Sequence, residues 1–187
     1  MKTVFLGPPG AGKGTQAKMI AAEFGIPHIS TGEMLRSAVA AATPLGLEVK
    51  QVMDSGQLVP DKTIVAIIEE RISEDDCVSG YILDGFPRTV IQAESLTSML
   101  AARDDGLDVV ILFEVAAQEV LARMESRRER EGRVDDSAET QLERLKVYER
   151  QTAPLIDYYQ NANLLRRVQG VGTVEEIQQR LVTALKQ

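Results

Sequence analysis

Nine residues, GPPGAGKGT at positions 7–15, stand between an apolar run at 3–6 and a stretch of helical periodicity over 13–24. No other feature of the chain narrows its fold as much. The glycines reach backbone conformations closed to other residues, so successive N–H groups can turn into one hollow. A helix N-terminus directly behind that hollow adds partial positive charge. Strand, glycine loop and helix in this order make a phosphate cradle, with Lys13 in reach of β- and γ-phosphates and a hydroxyl in reach of Mg²⁺. The general pattern puts Ser or Thr directly after the lysine. Here Gly14 follows, and the hydroxyl comes one place later, at Thr15. The bland alternative is a Gly/Pro-rich strand-to-helix turn. The lysine and the flanking elements weigh against it.

The rest of the chain repeats the alternation. Short apolar runs at 27–30, 81–83, 109–113 and 164–168 read as strands. Between them Val65, Ile68 and Ile72, then Leu96, Met99 and Leu100, then Val120, Leu121 and Met124 recur at helical spacing. Strands alternating with helices predict an α/β fold of three layers, a parallel sheet of five strands with helices on both faces. The length of 187 residues suits one domain, 1–187, able to bury a real core. Two segments look like insertions into it. Residues 31–60 are helical and end in a loop at 55–60. Residues 127–136 are almost wholly charged or small, with Val134 the one core-type side chain, as suits a mobile lid or an ordinary exposed loop.

Composition excludes several classes. Hydrophobic residues at 44% and charged residues at 26% rule out disorder and coiled coil. One cysteine, Cys77, and one histidine, His28, exclude a disulfide framework and a zinc site of several cysteines or histidines. No apolar run nears the ~20 residues of a membrane helix. The run at the start stops after three residues, too short for a secretory signal. A net charge of −7 argues against nucleic acid as a partner. The expectation is a soluble, cytoplasmic protein without nucleic-acid or membrane partners. Yet 14 of the 21 basic residues are arginine, and half of these lie between 123 and 150. Such a cluster suits a compact anionic ligand, because the guanidinium fork matches phosphate oxygens. A solvated helix face laced with ion pairs would look the same from composition.

Three further segments carry chemistry. In LDGFPR (83–88), Asp84 ends a strand, where ligands of parallel sheets bind and a carboxylate can hold Mg²⁺, directly or through water. It could instead be only the N-cap of the next helix. Arg88 follows a proline turn and could fork onto phosphate. In STGEMLR (30–36), Ser30 and Glu33 suggest a capping box, and Arg36 falls on the first turns of the helix. In GRVDD (132–136), Asp136 with Glu139 suggests a second capping box. Arg123 and Arg127, four apart, share a helix face.

Taken together, GPPGAGKGTQA (7–17), ISTGEMLR (29–36), LDGFPRTVIQAE (83–94), GRVDD (132–136) and the stretch from Arg144 through Tyr148 to Ile156 resemble the adenylate kinase family. The likeness runs nearly end to end and in order. Only five residues separate Arg127 from Arg133, which resembles the short-lid form without the extra hairpin or zinc site. The resemblance implies ATP + AMP = 2 ADP, a monomer, Mg²⁺ with ATP and no zinc, an AMP-binding insertion at 30–59 and a short lid at 126–136. It implies ATP on Gly10, Ala11, Gly12, Lys13, Gly14, Thr15, Arg123, Arg127 and Gly172. It implies AMP on Thr31, Arg36, Gln57, Leu58, Val59, Gly85, Phe86, Pro87, Arg88, Gln92, Arg133 and Arg144, with Gln92 at the adenine edge. Lys13, Arg88, Arg123, Arg133 and Arg144 would act on the transferring group, and Thr15 and Asp84 on the metal. His28 and Cys77 are expected to be structural.

Two alternatives stay open at this point. A UMP/CMP-type kinase shares the loop and a DGFPR-like segment, but typically carries Asn at base-reading positions where this chain has Thr89 and Gln92. A noncatalytic nucleotide sensor should have lost some catalytic groups, whereas Lys13 and the arginines are all present.

Overall fold

The computed structural model describes residues 1–131 and 137–186, and for 127–131 the backbone course alone. Five parallel strands form one sheet: β1 (Lys2–Leu6), β2 (His28–Ser30), β3 (Tyr81–Asp84), β4 (Val109–Glu114) and β5 (Leu165–Gln169), in the spatial order β2-β3-β1-β4-β5. The chain leaves the central β1 to one side, returns through β3, and crosses to the other side at β4. That reversal opens a crevice at the carboxyl ends of β1, β3 and β4, where such sheets bind ligands. Register puts Asp84 level with both Phe5 and Ser30 at that edge.

The three inner strands, β1, β3 and β4, are apolar on both faces, as a covered parallel sheet requires. Along β1, Val4 and Leu6 point into one core and Phe5 into the other. On Phe5's side lie α1 (Lys13–Phe24) and α9 (Val174–Leu185), whose Ala17, Ile20, Ile177 and Leu181 meet Ile111, Phe113 and Val168. On the other side lie α4 (Asp61–Arg71), α5 (Val90–Ala101) and α8 (Pro154–Asn161), packing Ile68, Leu96, Leu155 and Tyr159 against Leu83 and Leu112. These are the three layers expected.

The first insertion is a helical pair, α2 (Thr31–Ala40) and α3 (Pro44–Asp54), followed by a loop. Thr43 caps α3 through Gly46 N–H, and Pro44 opens it where a missing N–H costs nothing. Beyond β4, α6 (Ala117–Glu131) runs through the first half of the connector expected as loop. Residues 132–136, the core of the expected lid, lie outside the described residues. Then α7 (Ala138–Val147) leads through a π-helical turn, Tyr148–Thr152, into α8.

Two expected capping boxes are corrected. Ser30 Oγ does accept from Glu33 N–H at 3.4 Å, but the Glu33 carboxylate turns away to Lys18, 2.8 Å off, because a cation is the stronger partner. The cap of α7 is Ser137, accepting from Thr140 N–H at 3.2 Å, in place of Asp136. A complete box occurs instead at α9, between Thr173 and Glu176.

Candidate functional site

Gly12 stands at the N-cap of helix α1 and offers no side-chain cap, so the first-turn N–H groups are available to an anion. Above them lies a cleft of about 630 Å³. Residues 9–16 wall one end of it, with Asp84, Gly85 and Pro87 beside them. Lys13 curls back over the loop, and Nζ donates to the carbonyls of Gly7 and Pro8 at 2.8 and 2.9 Å. Phosphate oxygens are the stronger acceptors and would compete for the same ammonium.

Asp84 is buried at the end of β3 and does not cap a helix; the cap of α5 is Thr89, accepting from Gln92 N–H. Burial by itself would raise its pKa. The His28 hydrogen bond and the charges of Lys13 and Arg88 outweigh that, so the carboxyl lies below its ordinary value. His28 Nε2 stands 3.4 Å from Asp84 Oδ2. His28 therefore supports a cleft residue, a role its place in the sequence does not signal. A Cβ built at Gly14 would lie 3.4 Å from Asp84 Oδ2. The position where the general pattern carries its hydroxyl thus faces this carboxylate, and glycine leaves room there. One carboxylate, that space and the neighbouring Thr15 suit a hard cation held mainly by phosphate and water. Among the described residues no cluster of three or more His, Cys, Asp or Glu could hold a metal by itself.

Arg123 joins two loops. Its Nη1 donates to the carbonyls of Gly170 at 2.9 Å and Ala11 at 3.4 Å, while Glu119, four residues earlier, holds Nε at 2.7 Å. Gly172 lines the same end of the cleft. The side chain of Arg127 and the whole of Arg133 lie outside the described residues.

A second, smaller cavity opens from the cleft. Thr31, Leu35, Gln57, Leu58, Val59 and Gln92 line it. It shares Arg36, Arg88 and Arg144 with the cleft, so three guanidinium groups stand where the two spaces meet. Gly85 is held at φ +82, and a Cβ there would come within 2.7 Å of Thr31 Oγ1 and 2.9 Å of Arg88 Nη2. Only glycine lets these two side chains close around the turn. Its carbonyl accepts from Thr31 Oγ1 at 2.9 Å and from Arg88 Nε at 2.7 Å. Thr152 Oγ1 donates to the Arg88 carbonyl at 2.9 Å.

The structure thus gathers almost every residue expected at the site. Phe86 is the exception among the described ones: its ring is buried in the core and lines neither cavity. Gln57 lines the small cavity, while its amide donates to Glu143 at 2.9 Å. Sequence reasoning missed His28, Glu119, Thr152 and Asp61. Glu119 had a visible signal in its i,i+4 spacing to Arg123, and Thr152 stands in the 144–156 stretch that carries the resemblance, though without a role there. Cys77 is buried, and burial lifts its thiol to about 11, in keeping with a structural role. No helix among the described residues is long and apolar enough to cross a membrane.

Comparison with known proteins agrees with this geometry. A family model described as adenylate kinase matches residues 5–164. The adenylate kinase of Clostridium kluyveri is 44% identical over 212 residues, covering 99% of this chain and 98% of that protein. That of Geobacter sp. strain M21 is 45% identical over 213 residues and covers both chains in full. That of Methylobacterium nodulans is 47% identical over 192 residues, covering 100% of this chain and 96% of its own.

Proposed function

The chain belongs to the adenylate kinase family, and from that premise we propose that it transfers the terminal phosphoryl group of ATP to AMP, reversibly, giving two ADP. The observation that carries this reading is the junction of the two cavities at Arg36, Arg88 and Arg144. Two anionic ligands entering from opposite sides would bring their phosphates together there.

The donor lies on the glycine loop. The N–H groups of residues 10–15 and the α1 dipole hold its phosphates, and Lys13 shifts from the loop carbonyls to the β/γ oxygens. Gly172 offers backbone to its adenine. Arg123 and Arg127 reach its phosphates. The acceptor lies in the smaller cavity, with Arg36 and Arg88 on its phosphate and Thr31, Gln57, Leu58, Val59, Gly85 and Gln92 around its nucleoside. Pro87 sets the turn that aims Arg88. Arg133 and Arg144 close over the transferring group from the lid side. A phosphate oxygen of AMP attacks the γ-phosphorus in line. The bond to the bridging oxygen breaks, and ADP leaves with that electron pair. No side chain forms a covalent bond. The protein contributes position and positive charge. Asp84 and Thr15 would hold Mg²⁺, which when bound would supply positive charge to the donor phosphates. Lid and insertion closing together exclude water as the competing acceptor. The Clostridium and Geobacter alignments run longer than the 187 residues of this chain, whereas the Methylobacterium alignment is close to its length. That supports a short lid at 126–136 beside an AMP-binding insertion at 30–59. The lone buried cysteine and the family likeness support a cytoplasmic monomer.

The test is product analysis by chromatography, with ATP, Mg²⁺ and AMP, CMP, UMP, GMP or no acceptor. Two ADP formed per ATP with AMP, reversal from ADP alone and loss in Lys13→Ala are expected. Faster turnover of UMP or CMP would move the acceptor assignment to pyrimidines. Phosphate release without an acceptor would overturn the kinase reading.

A further inference from the structure

The side chain of Gln92 is almost fully buried and is held from two directions. Its Oε1 accepts the backbone N–H of Arg88 at 2.7 Å, and its Nε2 donates to Asp61 Oδ1 at 2.7 Å. The same carboxylate oxygen accepts from Thr89 Oγ1 at 3.0 Å, and Thr89 in turn accepts the backbone N–H of Gln92 at 3.2 Å. Asp61 is the first residue of α4, two places after Val59, which lines the small cavity with Gln92. It belongs to none of the motifs that point to the site.

This arrangement decides which way the Gln92 amide faces. A backbone N–H can only donate, and a carboxylate can only accept. If the amide flipped, a donor would meet a donor and an acceptor would meet an acceptor, and both hydrogen bonds would be lost. Each end of the amide has one further valence, an N–H and a lone pair, to offer the cavity. A 6-aminopurine presents a donor at N6 beside an acceptor at N1. A 6-oxopurine presents an acceptor at O6 beside a donor at N1. A freely flipping amide could satisfy either edge. A locked amide satisfies only one.

We propose that Asp61 is a specificity-determining positioning residue, which locks the Gln92 amide so that the acceptor cavity takes a 6-aminopurine and rejects a 6-oxopurine. This rests on the reading above that Gln92 faces the acceptor base. Asp61 touches no reacting atom; it acts through Gln92. The Asp61–Gln92 bond is what distinguishes this amide from a glutamine that merely lines a pocket. Sites that hydrogen-bond a substrate edge discriminate strongly, because the wrong edge leaves buried groups unpaired.

The experiment compares AMP with IMP, whose base differs at the 6-position and N1 and has no 2-amino group to clash. Initial rates are measured with Mg·ATP for the wild type, Asp61→Asn and Gln92→Ala. Asparagine keeps the shape of Asp61 but can turn an NH₂ group toward Gln92, which removes one of the two bonds that forbid the flip and leaves only the Arg88 N–H to oppose it. The expected result is a wild-type AMP:IMP ratio of kcat/KM above about 100, falling about tenfold or more in Asp61→Asn. The change appears in the two acceptor KM values, with the KM for ATP unmoved. General damage to the fold would lower both acceptors alike and leave the ratio in place. An unchanged ratio in Asp61→Asn overturns the lock. If Gln92→Ala also keeps the wild-type ratio, it is the reading of Gln92 that has failed. If Gln92→Ala collapses the ratio and Asp61→Asn does not, Gln92 reads the base without Asp61. Should Asp61→Asn not fold, the wild type alone still decides. Use of IMP within threefold of AMP would mean that no locked amide faces the base.

Discussion

The two ends of the cleft are held in different ways. At the glycine-loop end the groups proposed to bind are chiefly backbone N–H groups beside the Lys13 ammonium, in a loop shaped largely by glycine. At the small-cavity end side chains do the holding: Thr31 and Arg88 donate to the Gly85 carbonyl, Gln92 and Thr152 bond the Arg88 backbone, and Asp61 accepts from Gln92 and Thr89, all at 2.7–3.0 Å. Phosphate is the same in every nucleotide, so a backbone hollow suffices for it. A base must be told from other bases, which takes side chains with donors and acceptors in a set order. Damage at one end should therefore look different from damage at the other.

The largest effect is expected at the loop. Lys13→Ala should lower kcat by about 10²–10³-fold or more, the scale of losing a preorganised group at developing charge. Thermal melting should fall by a few degrees at most, since the change removes two bonds from Nζ to loop carbonyls. Activity above a tenth of wild type would detach the loop from the transfer step.

Asp84→Asn comes next, and it links the two ends. Activity should fall and the Mg²⁺ needed for half-maximal rate should rise, as a magnesium titration would show. The stability effect has a definite sign. The folded pKa of Asp84 lies below the ordinary 3.8, so its contribution is complete above that value and is lost as pH falls through the folded one. The stability gap between wild type and Asp84→Asn, from urea unfolding, should narrow as pH drops below about 5.

A pair of glycine substitutions sharpens the contrast. At Gly10, φ is +84 and a Cβ would lie 2.7 Å from Met124 Cγ. At Gly85 it would strike Thr31 and Arg88. Each Gly→Ala change should cost about 1–3 kcal/mol. Gly10→Ala should raise the KM for ATP and spare that for AMP, and Gly85→Ala should do the reverse. Equal effects on both substrates would erase the division drawn here.

The smaller effects lie in the supporting bonds. Thr152→Val removes one bond to the Arg88 carbonyl and should cost about 1 kcal/mol, with a modest rise in the KM for AMP. Gln57→Ala breaks an exposed bond to Glu143 and should change stability by no more than about 0.5 kcal/mol in denaturant unfolding.

Much of the molecule was legible in advance because its rules are local. The glycine loop, the strand that ends at Asp84 and the helix carrying Arg36 each follow from neighbours a few residues apart. The boundary that slipped, the cap of α7 at Ser137 in place of Asp136, was a choice between adjacent polar residues of similar capping strength. The family likeness supplied roles for the distant arginines. It said nothing of what holds them.

By itself, then, the sequence determined the alternation of strands and helices, the two-faced apolar sheet and the phosphate loop, since these depend on periodicity and on backbone freedom at glycine. Tertiary structure alone decided which side chains meet. His28 reaches Asp84 across 56 residues, Gln92 reaches Asp61 across 31, and Thr152 reaches Arg88 across 64. Such pairings depend on strand order and on how helices lie across the sheet. A hydrogen bond needs placement within a few tenths of an ångström, and only the packed core fixes distant segments that closely.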